Sequence, residues 1–555
     1  MHIKDIKLFL QQNDFDAYLV SHGNRFIGEE ILDSEHKIKH LCGFSGSNGL
    51  LIISRKKCFL LVDGRYELQA LMETDASQIT IIHQNPTLLN AAEILRQNKL
   101  TNIGYDAWCQ SAAEMKEVAA QYSDLHFADG GDLLQIDSQK PIKILRRDIA
   151  YAGQSAVDKM RLIKQQLQQQ NADYLLLTSA SSVSWLFNIY AQDLPYTPIV
   201  RAYALIDNDG NFTLFADNLQ TDLPHENMQN LISFLQKNGA EKIIYDAATT
   251  PQKLVFPQMQ NVSDICQNLK AIKNKTELNG MIESHIRDGA ALSKLLFWLE
   301  KNKQNKTELD VVQKLHEFRI EQNLFFSESF ATIAGAGSNG AVVHYQPNKQ
   351  TNCALEENQL LLLDSGGQYL DGTTDVTRTI ILGKPQKQQI EHFTMVLKAH
   401  IALANTVFSA DTTGAELDDI ARQPLRQKNM DYKHGTGHGV ACFGNVHEGP
   451  VSISSRCQKC FTENMVTSIE PGFYLENKYG IRIENLYYTQ SQKDGRLHFI
   501  YLTKVPIDKR LIDKYMLSAD EQNWLNKYHA CVYTSLQQYM TEEEKQWLEE
   551  ACSPL

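Results

Sequence analysis

Asp364 and Asp375 stand eleven residues apart, Glu470 and Glu484 fourteen apart, and between the pairs lies His434-Gly-Thr-Gly-His438. Apolar runs adjoin the acids: Leu360 to Leu363 before Asp364, Ile380-Ile381 after Asp375, and Ile481 and Ile483 ahead of Glu484. Ionised carboxylates in such surroundings are costly to bury unless positive charge sits among them. The cheapest partner is a pair of divalent cations. One imidazole with four carboxylates suits Mn²⁺ or a similar ion, whereas a closed structural zinc site favours thiolates. Four carboxylates also exceed what one ion needs, and two ions ~3.5–4 Å apart, bridged by shared carboxylates, would use them all. Taken singly, each acid reads as a solvated strand-end residue. As a set in strand contexts, they read as ligands.

Periodicity indicates what positions them. Gln359 to Asp364 reads as a strand ending in a turn, and Asp371-Gly372 as the turn itself. Asp375 opens the returning strand, with Thr377 and Thr379 on its own face. The same counting puts Arg482 and Glu484 on one face and Ile481 and Ile483 on the other. Upstream, residues 1–150 alternate helical stretches with short apolar runs such as Cys58-Phe-Leu-Leu-Val, the pattern of an α/β unit. A turn near Gly153 opens a helix through about Gln170, and a second α/β unit spans 151–270. The two units look alike, as an old duplication would. From 271 to 555 come long helical patterns (277–301 and 308–322), then strands rich in Gly, Thr and acids, then a tail from about 500. This third unit holds all the chemical motifs.

A chain of 555 residues carries more than one core. With 43% apolar residues and 22% charged it reads as globular, and a net charge of −12 argues against nucleic-acid or anionic-lipid partners. No apolar stretch is long enough to span a membrane, and the N-terminus reads as an amphipathic helix, not a signal peptide. Ten cysteines without framework spacing fit a cytoplasmic location. Gly335-Ala-Gly-Ser-Asn-Gly340 has the G-x-G-x-x-G spacing, but the strand-like Ala341 to Tyr345 follows it where a nucleotide site needs a helix. It reads as a loop that brings His344 to the site. Cys457-Gln-Lys-Cys460 is a lone pair and reads as an exposed loop.

These residues carry a resemblance. Leu363-Asp-Ser-Gly-Gly, Asp371-Gly-Thr-Thr-Asp-Val-Thr-Arg, His434-Gly-Thr-Gly-His-Gly, Val446-His-Glu-Gly-Pro, Glu470-Pro-Gly-Phe-Tyr and Arg482-Ile-Glu-Asn are similar to the aminopeptidase P (Xaa-Pro aminopeptidase) branch of the pita-bread metallopeptidases. Val62-Asp-Gly-Arg-Tyr, Trp185-Leu-Phe-Asn and Glu521-Gln-Asn-Trp extend the likeness over nearly the whole chain, which resembles the long, three-domain form. The implied fold is two creatinase-like α/β domains followed by an α+β pita-bread catalytic domain.

The resemblance implies Asp364, Asp375, His438, Glu470 and Glu484 as ligands of two ions, manganese first with zinc or cobalt as alternatives. One ion would be held by Asp375, His438, Glu470 and Glu484, the other by Asp364, Asp375 and Glu484. The implied activity is release of an N-terminal residue that precedes proline, by attack of a metal-activated hydroxide. Glu470 is implied as proton shuttle, His447 and His344 as donors to the oxyanion, and His434 as a further pocket histidine. Arg482, Tyr474 and Arg65 are implied as supporting or substrate-contacting residues, and a homodimer as the assembly. Two departures stand out: Asn188-Ile-Tyr-Ala lacks an arginine that the family often has there, and Ser21 to Gly28 lacks its acidic, proline-preceded stretch. Prolidase, which shares the ligand set but takes only dipeptides, is the alternative reading. A non-catalytic scaffold would be expected to have lost ligands, and all five are present.

Overall fold

The structure, a computed structural model, describes residues 2–134, 141–238 and 241–555. Its contacts divide it into two compact units, one of Met1–Arg147, Gln154–Leu194 and Pro198–Cys266, the other of Asp148–Gly153, Pro195–Thr197 and Gln267–Leu555.

In the first unit, β-branched and leucine-rich runs build two six-stranded sheets. One is ordered Ile79–His83, Cys58–Val62, Leu50–Ser54, Ala17–Ser21, Asn102–Tyr105, His126–Asp129. The other is ordered His225–Glu226, Phe212–Phe215, Tyr203–Asp207, Tyr174–Leu177, Ile243–Tyr245, Met259–Asn261. Read across in that order, both sheets pair parallel, antiparallel, antiparallel, parallel, parallel. Identical topology supports the duplication suggested by pattern. The expected amphipathic helix is Ile3–Gln12, with Ile6 and Leu10 buried. Between the two sheets Arg201, 4% exposed, bonds both Asp193 (2.7 Å) and Glu35 (2.9 Å).

The second unit opens with the 28-residue helix Lys275–Asn302, started by a capping box in which Asn274 accepts from Thr276 and Glu277 and the Glu277 carboxylate accepts from the Asn274 N–H. Helix Glu308–Ile320 follows. Three antiparallel strands come next, Ile333–Ala336, Gln359–Ser365 and Val376–Leu382, with Asp364 opposite both Ile333 and Thr377. A six-stranded sheet runs Val407–Phe408, Leu497–Tyr501, Asn485–Ser491, Val466–Ile469, Gly437–Gly439, Glu448–Ile453. Helices Ala519–Leu536 and Glu542–Cys552 close the C-terminus, and their Tyr528, Val532, Leu536 and Leu548 join a core that also takes Ile481 and Ile483.

Two local expectations are corrected. Ala341 to Tyr345 is not a strand: a 3₁₀ turn, Gly337–Ala341, leads into further turns. Asn339 and Tyr345 both bond the buried Glu308 carboxylate (3.0 and 2.7 Å), and these side-chain bonds hold the chain in turns rather than extended. The Cys457 to Cys460 loop is exposed at Gln458 and Lys459, but Cys457 itself is buried, its side chain packed under Gly414, where a Cβ would stand 3.0 Å from it. None of the ten cysteines is in a disulfide.

Candidate active site

Three chain segments deliver the donors. Asp364 sits within the strand Gln359–Ser365, and Asp375 immediately precedes Val376–Leu382, with a small hairpin (Gly367–Tyr369 against Gly372–Thr373) between them. His438 is central in Gly437–Gly439. Glu470 follows Val466–Ile469, and Glu484 follows Tyr479–Arg482. A Cβ on Gly437 would stand 2.0 Å from the Ser468 carbonyl, so only glycine lets the His438 and Glu470 strands come this close.

The donors converge. Ligand atoms of Asp375, His438 and Glu484 lie within 4.8 Å of one another. His438 Nε2 is 3.5 Å from Asp375 Oδ2 and 3.4 Å from Glu470 Oε1. Asp364 enters through Arg482, whose Nη2 donates to its Oδ2 at 2.5 Å. Neighbouring hydroxyls aim the carboxylates: Thr377 donates to Glu484 Oε2 (2.8 Å), and Ser468 donates to Glu470 Oε1 (3.2 Å) while accepting the His438 N–H.

Electrostatically the carboxylates outnumber the positive charge beside them, the Arg482 guanidinium on Asp364. Asp364, Asp375 and Glu484 are all at most 8% exposed. Burial, reinforced by the neighbouring carboxylates and opposed by Arg482, pushes the Asp364 carboxyl up to about 6. Glu484 is driven well above its ordinary range, by burial first and then by Asp375 and Glu470. Asp364 Oδ1 and Glu484 Oε1 are buried with no hydrogen-bond partner among the described residues. Orphaned buried carboxylate oxygens of this kind call for cations. The oxygen-rich donor set, with one imidazole nitrogen, fits divalent ions.

Around the donors lie the histidines. The His447 ring stands 4.3 Å from that of His438, edge to face. His434 Nε2 shares a hydrogen bond with the Tyr474 hydroxyl (2.8 Å), and Tyr474 accepts from Arg482 Nη1 (2.6 Å). Imidazole, phenol, guanidinium and the Asp364 carboxylate thus form one chain. His344 is half-buried, and its neighbour Val343 offers its carbonyl to Arg482 Nη2 (3.3 Å). Arg65 lies in the other compact unit, where it pairs with Asp63 (2.8 Å) and stacks over Tyr66. Sequence reading passed over Arg378, whose guanidinium donates to the carbonyls of Thr377, Glu484, Val505 and Pro506, to Asn485 and to Tyr528. Its place in the motif Asp375-Val-Thr-Arg was visible. Its partners, spread over 150 residues of sequence, were not.

Residues 279–491 match metallopeptidase family M24, 3–136 and 136–277 each match a creatinase/prolidase N-terminal domain, and 495–555 match the C-terminal region of that peptidase family. The "Probable Xaa-Pro aminopeptidase P" of Laccaria bicolor is 34% identical over 99% of this chain and 92% of its own. The chain belongs to metallopeptidase family M24. Another member, aminopeptidase P2 of Arabidopsis thaliana, is 32% identical over 97% of this chain and 86% of its own. Among solved structures, the family's X-prolyl aminopeptidase from Caenorhabditis elegans, described as a cytosolic enzyme with a di-nuclear active site, superposes with a TM-score of 0.93. It is 31% identical and covers 98% of this chain and 95% of its own. A prolidase from Thermococcus sibiricus, 22% identical with a TM-score of 0.51, covers 64% of this chain and shares the fold.

Proposed function

We propose that this chain is a dinuclear Xaa-Pro aminopeptidase, hydrolysing the bond between an N-terminal residue and a following proline. The observation that carries this reading over prolidase is end-to-end similarity to the nematode X-prolyl aminopeptidase, N-terminal sheets and C-terminal helices included, where the prolidase covers 64% of the chain. Two divalent ions, manganese by the hardness of the donors, would be held by Asp364, Asp375, His438, Glu470 and Glu484. When bound, the ions supply Lewis acidity, polarising the scissile carbonyl and acidifying a water.

The chain's own residues do the rest. Glu470, 3.4 Å from His438 and held by the Ser468 hydroxyl, takes the water's proton and returns it to the leaving proline nitrogen. His447, exposed beside His438, and His344 donate to the carbonyl oxygen as it becomes negative. Arg482, bonded to both Asp364 and Tyr474, fixes that carboxylate and links it to His434. Arg65 is assigned to substrate contact by resemblance alone. The domain limits near 150 and 270, a cytoplasmic location and a homodimer belong to the same reading; light scattering on purified protein tests the dimer.

The deciding assay compares an Xaa-Pro-Pro tripeptide with the Xaa-Pro dipeptide on metal-loaded enzyme. Cleavage of the tripeptide is expected. Turnover of the dipeptide alone would make the protein a prolidase.

A further inference from the structure

Resting on the role just given to His447, one cluster outside the donor set acts on this imidazole. His447 is exposed, yet Val446 before it and Glu448 after it are buried, at 3% and 6% exposure. The turn that presents the ring is therefore held from both sides. On the upstream side the Gly444 carbonyl accepts from Gln368 Nε2 (2.7 Å) and its N–H bonds the Thr373 hydroxyl (3.2 Å), which ties it to the hairpin just before Asp375. On the downstream side Glu448 carries the load. Its backbone pairs with Gly439, next to His438, so closely that a Cβ on Gly439 would stand 2.2 Å from the Glu448 carbonyl. Its carboxylate is gripped by two lysines, Lys270 at Oε1 (2.6 Å) and Lys273 at Oε2 (2.5 Å).

Those lysines are themselves immobilised. Both are buried, at 6% and 2% exposure. Lys273 donates its N–H to Asn464 and its Nζ to the Lys270 carbonyl, and Ile272 bridges Met465 at the start of the strand that leads to Glu470. A carboxylate held at one oxygen can swing about its own bond; held at both by separate cations it cannot. Among the described residues the arrangement pairs two cations with one anion, an excess that burial penalises and that simple pairing would not require. Fixing both oxygens accounts for the second lysine.

We infer that Lys270 and Lys273 are positioning residues for peptide hydrolysis, clamping Glu448 so that the His447 imidazole is held against His438 at the scissile carbonyl. Neither lysine touches the donor cluster. Each acts through Glu448.

The charge excess makes the test clean, because Lys270→Met leaves a matched Lys273–Glu448 pair and should fold. In full-length enzyme loaded with Mn²⁺, Lys270→Met and Glu448→Gln are expected to retain their metal content while kcat falls by roughly 10–100-fold, KM staying nearly constant, since small misplacement of a reacting group has effects of this size. In the His447→Ala background neither substitution should lower kcat further, because the group they position is gone. Lys270→Arg, which keeps the cation, should recover most of the loss. Multiplicative losses in the double variants, loss of metal, or wild-type kcat in both single variants would overturn the clamp. If His447→Ala itself turns over at the wild-type rate, the role of His447 fails first and is separately identified. A crystal structure of Lys270→Met with the His447 ring still 4.3 Å from His438 would also overturn it.

Discussion

At the scale of single residues, the site is organised by unequal burial of like charges. Glu484 is 1% exposed and has one orphaned oxygen, while Glu470 is only partly buried and has a hydroxyl donor. The first suits a carboxylate that bound cations would hold in place, the second a group that exchanges protons with substrate. Asp375→Asn is therefore expected to abolish turnover and metal loading together, as metal analysis alongside the tripeptide assay would reveal. Near-normal turnover in that variant would remove the two-ion assignment. His344→Ala should keep both ions and lower kcat by about 10²–10³-fold, the usual size of losing one oxyanion donor. The four candidate carboxylate ligands were legible in the sequence, because ionised carboxylates set beside apolar runs are costly to bury without cations among them, whereas His438 was singled out from His434 by the resemblance. Their hydroxyl partners Thr377 and Ser468 were less so, since Ser and Thr serve caps, turns and strands alike.

At the scale of elements, the ligand strands are locked to the C-terminal helices through one buried side chain. Arg378, 1% exposed, reaches the carbonyls of Thr377 and Glu484 on one side and Tyr528 of helix Ala519–Leu536 on the other. Each acceptor orphaned by its removal costs about 1–3 kcal/mol. Arg378→Met is thus expected to lower the unfolding free energy measured in urea by several such increments and to weaken metal affinity about 10–100-fold. Tyr528→Phe, which removes a donor to Val505 and an acceptor for Arg378, should cost about 1–3 kcal/mol in the same titration. Unchanged metal affinity in Arg378→Met would uncouple the tail from the site. Periodicity located the strands that carry Asp364 and Asp375 but left the C-terminal helices as a tail, and it misjudged Ala341 to Tyr345, where Glu308, far upstream in sequence, captures Asn339 and Tyr345 and curls the chain. A carboxylate that folds another segment has no local signature.

At the scale of the whole molecule, metal loading and folding are linked through the buried acids. Asp364, ordinarily near 3.8, sits at about 6 in the folded chain, and Glu484 lies well above its ordinary value. A carboxyl whose pKa rises on folding stabilises the fold while protonated, and that contribution is lost as pH climbs through the folded value. Metal-free protein should therefore weaken from about pH 4 upward through 6, and bound cations should cancel the loss. The gap in melting temperature between loaded and chelated protein is expected to be small at pH 5 and to widen by pH 7.5. Taking the gap offsets the opposing effect of His285, His400 and His529, whose burial depresses their pKa values to about 4, 3 and 3. A gap independent of pH would sever the link.

The sequence by itself offered four carboxylates and a histidine cluster in strand contexts, the alternation that puts Thr377 on the face of Asp375 and sets Ile481 and Ile483 opposite Glu484, and the two α/β units, because these follow from residue type and local period. Only the tertiary structure decided which distant groups hold the donors: Arg482 on Asp364, Arg378 across to Tyr528, Lys270 and Lys273 on Glu448. Lysines and arginines of this kind usually lie in water, and their local sequence looks the same whether they do or not. What buries them is the meeting of segments 100 or more residues apart in the chain, and that meeting is a property of the packed fold.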